Sequence, residues 1–256
     1  MSGRVVTFVN QKGGVGKTTT AVSLAVALGR HGQRVLLIDL DPQANATSAA
    51  GVDGAGLPGV YDTLLDETPA EACVVAVPEE QISLIPASAA LAGAEVELVP
   101  VMARERRLAS AIQPLRDRFD WIFVDCPPSL GLLTVNALAA SDSVIIPVQC
   151  EYMALEGLGR LQETLELVRR NLNANLRVLG VVLTMFDPRT RLSQQVVDDV
   201  RSHFAETFTT IIPRAVRLSE APSHGQSIFR YEPAGRAAAA YDALAVELLE
   251  RVGVAV

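Results

Sequence analysis

Lysine is almost absent from this 256-residue chain, which holds two lysines against 20 arginines. A protein that uses arginine at every generic basic position has kept Lys12 and Lys17 where a compact ammonium does what a planar guanidinium does not. Cysteine is equally scarce. Cys73, Cys126 and Cys150 are odd in number and far apart, which excludes a disulfide framework and a CxxC metal site and leaves buried free thiols. His31, His203 and His224 stand alone, so no histidine metal cluster is expected. No apolar run is long enough to span a bilayer, and no basic-then-apolar leader precedes the strand-like VVTFVN that begins at Val5. A cytoplasmic protein without membrane attachment is expected. With no linker, internal repeat or low-complexity tract beyond local alanine richness, residues 1–256 read as one domain.

Positive charge is also in deficit. A formal net charge of −7 excludes a protein that coats nucleic acid by bulk charge. The deficit is uneven, however: from Arg177 to Arg236 eight arginines face six carboxylates, a net +2 that leaves −9 for the remainder. Any DNA-binding surface is then a local patch in the C-terminal third.

What the chain does have is a regular alternation. Short Val- and Ile-rich runs, namely VVTFVN, RVLLIDL from Arg34, ISLIPA from Ile82, WIFVDCP from Trp121, SVIIPVQ from Ser143, RVLGVVLTMF from Arg177 and TTIIP from Thr209, read as strands buried on both faces. Between them, helical periodicity predicts helices over 18–31, about 89–118, 132–140, 154–172, 192–208 and 234–252. The fold class is therefore α/β: a mostly parallel twisted sheet with helices on both faces. The small, polar and glycine-rich stretch 44–59 reads as a mobile surface loop.

Both lysines lie in NQKGGVGKTTT, which begins at Asn10 between the first strand and the first helix. Such a turn lets backbone N–H groups converge on an anion at the positive end of a helix dipole. Gly13, Gly14 and Gly16 permit close approach, with Val15 among them. Lys17 then reaches the β- and γ-phosphates, Thr18 offers a hydroxyl to Mg²⁺, and Thr19 completes the cradle. The standard GxxxxGK(S/T) loop asks for glycine where Gln11 stands; here a second lysine, Lys12, leads the loop instead. Asp41, in DLDPQ, and Asp125, ending WIFVD, are carboxylates at strand ends, where an open α/β sheet places its chemistry. Asp125 suits a Mg²⁺ water, because Mg²⁺ keeps most of its hydration. Asp39 reads as a buried, hydrogen-bonded carboxylate.

With KGGVGKTTT, VLLIDLDPQANAT, FVDCPPSLG, PVQCEYMALEGL and IPRAVRLSEAPSHGQSI in view, the chain resembles the deviant Walker A P-loop ATPases, and within them the ParA/Soj chromosome- and plasmid-partitioning proteins. The resemblance implies ATP with Mg²⁺, catalysis involving Lys12 and Asp41, and an ATP-dependent homodimer in which Lys12 crosses to the partner's nucleotide. Asp41 positions the attacking water, the segment containing Pro127, Pro128 and Gly131 reads the γ-phosphate, and Pro213 contacts adenine through its backbone. It further implies nonspecific double-stranded DNA bound through Arg189 and Arg217, with Arg191 and Arg214 beside them, slow intrinsic ATP hydrolysis stimulated by a ParB-like centromere-binding protein, and association with the nucleoid. No helix-turn-helix precedes the loop, so operator binding is not expected.

Two other readings compete. A MinD-like membrane-cycling ATPase calls for a C-terminal amphipathic helix with a basic face, whereas YDALAVELLERVGVAV carries three carboxylates and one arginine. A nucleotide-gated scaffold with negligible turnover is separated by measuring ATP hydrolysis with and without DNA.

Overall fold

The computed structural model describes residues 2–151 and 154–254, without the side chains of Ala154 and Glu156. Eight strands form one sheet: β1 (Arg4–Phe8), β2 (Val35–Asp39), β3 (Val75–Val77), β4 (Ile82–Ile85), β5 (Trp121–Asp125), β6 (Ser143–Gln149), β7 (Arg177–Phe186) and β8 (Thr207–Pro213). Their spatial order is β3-β4-β2-β5-β1-β6-β7-β8, and every pairing is parallel except that of β3 with β4.

Burial on both faces explains the apolar runs. In β5, Trp121 and Phe123 face one layer while Ile122 and Val124 face the other. The first layer holds α1 (Lys17–Arg30), α10 (Ile228–Tyr231) and α11 (Arg236–Arg251); the short α2 (Asn45–Ala49) packs there too. On the opposite face, α3 (Val60–Leu64), α4 (Leu91–Glu97), α5 (Arg107–Ile112) and α6 (Leu132–Ala140) cover one half of the sheet. There α7 (Ala154–Asn171) and α8 (Arg191–His203) cover the other half, and the four-residue α9 (Arg217–Glu220) follows β8.

Four expectations need correction. The single helix expected over 89–118 is interrupted between α4 and α5, where Pro100 cannot continue the hydrogen-bond ladder and Ala103 takes a left-handed φ of 52°. The helix expected over 192–208 ends at His203, because Thr207 and Phe208 already belong to β8. The loop expected over 44–59 begins with α2, whose Ala46, Thr47 and Ala49 are buried; the chain is exposed over most of 51–58. The edge strand β3 has no counterpart among the expected strands. Of the motif PVQCEYMALEGL, Tyr152 and Met153 lie outside the described residues.

The topology fixes where chemistry can occur. Chain order runs outward from β1 on one side through β2 and β4, returns through β5, and then continues on the other side through β6, β7 and β8. The reversal places the loop after β1 at a switch point, flanked by the C-terminal ends of β5 and β6.

Candidate functional site

The loop after β1 is held both by its own Asn10 side chain and by the neighbouring strands. Asn10 donates Nδ2 to the Pro147 carbonyl on β6 at 2.7 Å and accepts the Lys12 N–H on Oδ1 at 3.0 Å. The Thr184 hydroxyl on β7 donates to the Val15 carbonyl at 2.8 Å. Gly14 and Gly16 take left-handed φ values of 73° and 87°, which a side chain would strain. Helix α1 then starts at Lys17 with no side-chain cap and no acid in its first turn, so its leading N–H groups and its dipole are open to an anion.

The two lysines part company here. Lys17 is buried, 7% exposed, and donates Nζ to the Lys12 carbonyl at 3.1 Å. Burial lowers its pKa, against the opposing pull of Asp125 and Asp41. Lys12 is exposed, and its ammonium has no hydrogen bond or ion pair among the described residues.

Three carboxylates converge on this loop. Asp39 is the structural one: Oδ1 accepts the Asp41 N–H at 3.1 Å, and Oδ2 accepts the Thr47 N–H at 2.8 Å and the Thr47 hydroxyl at 2.7 Å. Burial pushes its pKa up to about 6 despite those bonds. Asp41 follows β2, is 7% exposed, and accepts the Gln43 N–H on Oδ1 at 2.9 Å; it lines the cleft. Asp125 is fully buried, and neither of its oxygens has a hydrogen-bond partner. Burial and then the neighbouring Asp39 push its carboxyl well up; Thr18 approaches closely enough to oppose that rise, but outside hydrogen-bond geometry.

An orphaned buried carboxylate beside a threonine hydroxyl is a place built for a cation, and the all-oxygen donor pair suits Mg²⁺. Replacing Asp125 with Asn removes the buried charge. Without magnesium, Asp125→Asn is expected to raise the thermal unfolding midpoint at neutral pH, while abolishing the extra stabilisation that Mg²⁺ adds to that given by nucleotide alone. Thermal scans with chelator and with Mg²⁺-nucleotide check both halves.

These groups border one cleft of about 830 Å³. Gly13, Gly14, Gly16, Lys17, Thr18 and Thr19 line it, together with Met185 and with Ile212, Pro213, Arg214, Ala215, Val216, Leu218 and Ser219. Pro128 faces the loop, 4.0 Å from where a Cβ on Gly13 would stand. A Cβ on Gly131 would meet only the Glu95 carboxylate, the free end of a flexible side chain.

An AAA-domain family model matches residues 3–178. The chain is 52% identical over 248 residues to the sporulation initiation inhibitor protein Soj of Bacillus subtilis, covering 96% of this chain and 98% of that one. It is 48% identical to the chromosome partitioning protein ParA of Myxococcus xanthus, covering 97% and 89% respectively. The chain belongs to the Soj/ParA family of partitioning ATPases. Among solved structures, a Mycobacterium smegmatis protein described as cobyrinic acid a,c-diamide synthase, with bound ATP analogue and magnesium, superposes with a TM-score of 0.87 at 38% identity, covering 98% of this chain and 95% of that one.

In this Soj/ParA member the loop residues, Lys17, Thr18, Thr19, Asp41 and Pro213 share the cleft, with Asp125 buried beneath it. Val15 contributes backbone only, its side chain being buried. Arg189 and Arg217 stand outside the cleft, on the segments that follow the adjacent strands β7 and β8. Arg189 forks onto Asp187 at 2.6 and 2.8 Å, and Arg217 pairs with Glu220 at 2.7 Å. Arg189 itself is exposed while Asp187 is mostly buried, and the fork holds the Asp187 carboxyl well below the usual carboxylate range; Arg217 also lies 3.6 Å from Glu232 and over the Tyr231 ring. Arg214 lines the cleft, and Arg191 opens α8. Sequence reasoning missed Asn10 as the anchor of the loop, Thr47 as the partner of Asp39 and Thr184 as the strut under Val15. Only Asn10 gave a local signal, as a polar residue ending an apolar run.

The cysteine reading agrees with the structure: all three thiols are free and buried. Burial pushes Cys150 up to about 12 and Cys126 well up, which makes them inert at neutral pH.

Proposed function

We propose that this chain is a single P-loop domain that binds MgATP in the cleft, dimerises on it, holds double-stranded DNA without sequence preference, and releases DNA after slow hydrolysis stimulated by a ParB-like partner. The observation that carries the reading is the difference between the lysines: one buried at the cradle, one exposed with no partner for its ammonium among the described residues. The loop N–H groups and Lys17 bind the triphosphate, and Thr18 and Asp125 hold magnesium, which when bound neutralises phosphate charge. Asp41 orients a water for attack on the γ-phosphorus; the bond to the β-bridging oxygen breaks and ADP leaves. Lys12 reaches the phosphates of a second subunit.

Nucleoid association follows if Arg189 and Arg217 meet DNA phosphates, which need charge and no base readout. Alanine at Arg217 is expected to weaken DNA binding equally across sequences and to reduce the slope of log K against log salt by about 0.9 for each phosphate that the arginine no longer neutralises. ATP-driven dimerisation is retained. An unchanged slope with intact binding moves the DNA surface elsewhere.

The reading as a whole is tested by DNA binding measured without nucleotide, with ADP, with ATP and with a nonhydrolysable analogue, across a salt series. Binding confined to the ATP and analogue states supports the cycle; equal binding in all four states refutes it. The M. smegmatis protein carries the name of a synthase, but its 38% identity is well below the 52% shared with Soj. Partition is the better supported of the two readings.

A further inference from the structure

The segment that follows β8 carries a closed cluster of charges outside the cleft. In α9, Arg217 donates Nη1 to Glu220 Oε2 at 2.7 Å, and its Nε lies 3.6 Å from Glu232 Oε1. The guanidinium also stands over the Tyr231 ring, 5.9 Å from its centroid. Glu220 is not a loose carboxylate. The Tyr231 hydroxyl donates to the same Oε2 at 3.1 Å, and Tyr231 is itself stacked on His224 with ring centroids 5.1 Å apart. The hydrogen bonds from Arg217 and Tyr231 hold the Glu220 carboxyl below its usual range. The pair adds little to a four-residue helix, because both of its side chains reach solvent. Its effect is to fix which anion the guanidinium meets first.

We propose that Glu220, with Glu232 behind it, is an internal competitor for phosphate: it occupies the guanidinium of Arg217 and has to be displaced before that arginine holds a DNA backbone. The inference rests on the reading of Arg217 as a DNA contact and adds the regulation of that contact. A carboxylate oxygen 2.7 Å from Nη1 sits where a phosphate oxygen would sit, since both anions meet a guanidinium through the same charge-assisted hydrogen bonds. One positive charge faces two negative ones, so the closed cluster carries a net −1. Within a Debye length, an approaching phosphate meets repulsion from it, and attraction follows only when the carboxylates turn away. Each subunit's contact is thereby weakened by the worth of an exposed ion pair, about two- to fivefold. The cluster limits how tightly DNA is held and keeps the contact reversible.

The test is a double-mutant cycle on the full chain with Mg²⁺ and a nonhydrolysable ATP analogue, reading the association constant for random-sequence duplex DNA at one salt concentration. Glu220→Gln keeps the size of the side chain and an acceptor for the Tyr231 hydroxyl while removing the charge. It is expected to tighten DNA binding about four- to twenty-five-fold, the factor for one subunit taken twice in a dimer. Glu232→Gln, whose carboxylate stands farther off, is expected to do the same more weakly. In an Arg217→Ala background both gains are expected to vanish, because no guanidinium is left to release. Nucleotide affinity is expected to stay at the wild-type value, as neither glutamate lines the cleft. Two results overturn the proposal: no gain in Glu220→Gln, or a gain of the same size with and without Arg217, which would be the effect of net charge alone. Failure of the DNA reading looks different, since Arg217→Ala by itself would then bind DNA as the wild type does, and the competitor would fall with it.

Discussion

Asp41→Ala is expected to yield a protein that binds ATP and Mg²⁺ normally, turns over about 10²–10⁴-fold more slowly, and accumulates as a DNA-bound dimer. The geometry separates this carboxylate from its neighbours. Asp39 is saturated by Thr47 and the Asp41 N–H, and Asp125 is buried beneath Lys17 and Thr18. Of the three carboxylates Asp41 alone lines the cleft, and its single side-chain hydrogen bond, from the Gln43 N–H, leaves acceptor capacity for a water. Its loss removes nothing from the phosphate cradle. Steady-state hydrolysis, nucleotide titration and DNA retention, measured together, check the assignment. Near-normal turnover removes Asp41 from the reaction, and a parallel loss of ATP affinity makes it a structural residue.

The second large effect distinguishes the two lysines. Lys17→Ala is expected to lose nucleotide affinity itself, by about 1.5–3 kcal/mol or roughly 10- to 100-fold, since a buried charge-assisted hydrogen bond disappears. Lys12→Ala is expected to keep that affinity and to lose ATP-driven dimerisation, together with DNA binding and stimulated hydrolysis. The reason lies in where each ammonium rests. Lys17 Nζ already points into the loop, on the Lys12 carbonyl, so a triphosphate only has to replace that oxygen. Lys12 is exposed, and that position suits a second subunit. Sedimentation with ATP, beside a nucleotide titration, resolves the pair. A Lys12→Ala protein that dimerises as the wild type does refutes action across the interface.

Much of the architecture was legible because strands buried on both faces declare themselves as Val- and Ile-rich runs. All seven expected strands are present, and the phosphate loop is a contiguous motif needing no tertiary information. What was hidden has specific causes. The strand β3 is three residues at a sheet edge, too short to show alternation. The region around Pro100 is rich in Ala, Leu and Arg, so helix propensity masked the break. Stretch 44–50 looked like a loop because its residues are small, yet they are small to pack: a Cβ on Gly51 would meet the Gly225 carbonyl at 2.7 Å. At the site, carboxylate roles follow from partners distant in sequence. Thr47 tells Asp39 from Asp41, and the orphaned state of Asp125 exists only once β5 lies between β1 and β2.

The packing of α1 on α11 bears on how the protein comes into being. Thr20, one helical turn beyond the start of α1, shares a buried hydrogen bond of 3.2 Å with Tyr241, 221 positions later. Ala21, Leu24, Ala25 and Leu28 of α1 lie in the same core as Leu244, Ala245 and Leu248 of α11. During synthesis the phosphate-loop segment leaves the ribosome well ahead of 236–251, so α1 can pack on β1, β2 and β5 before its contacts with α11 are made. The cleft, which Ile228 and Tyr241 also line, is therefore complete only when the last helix of the chain has docked.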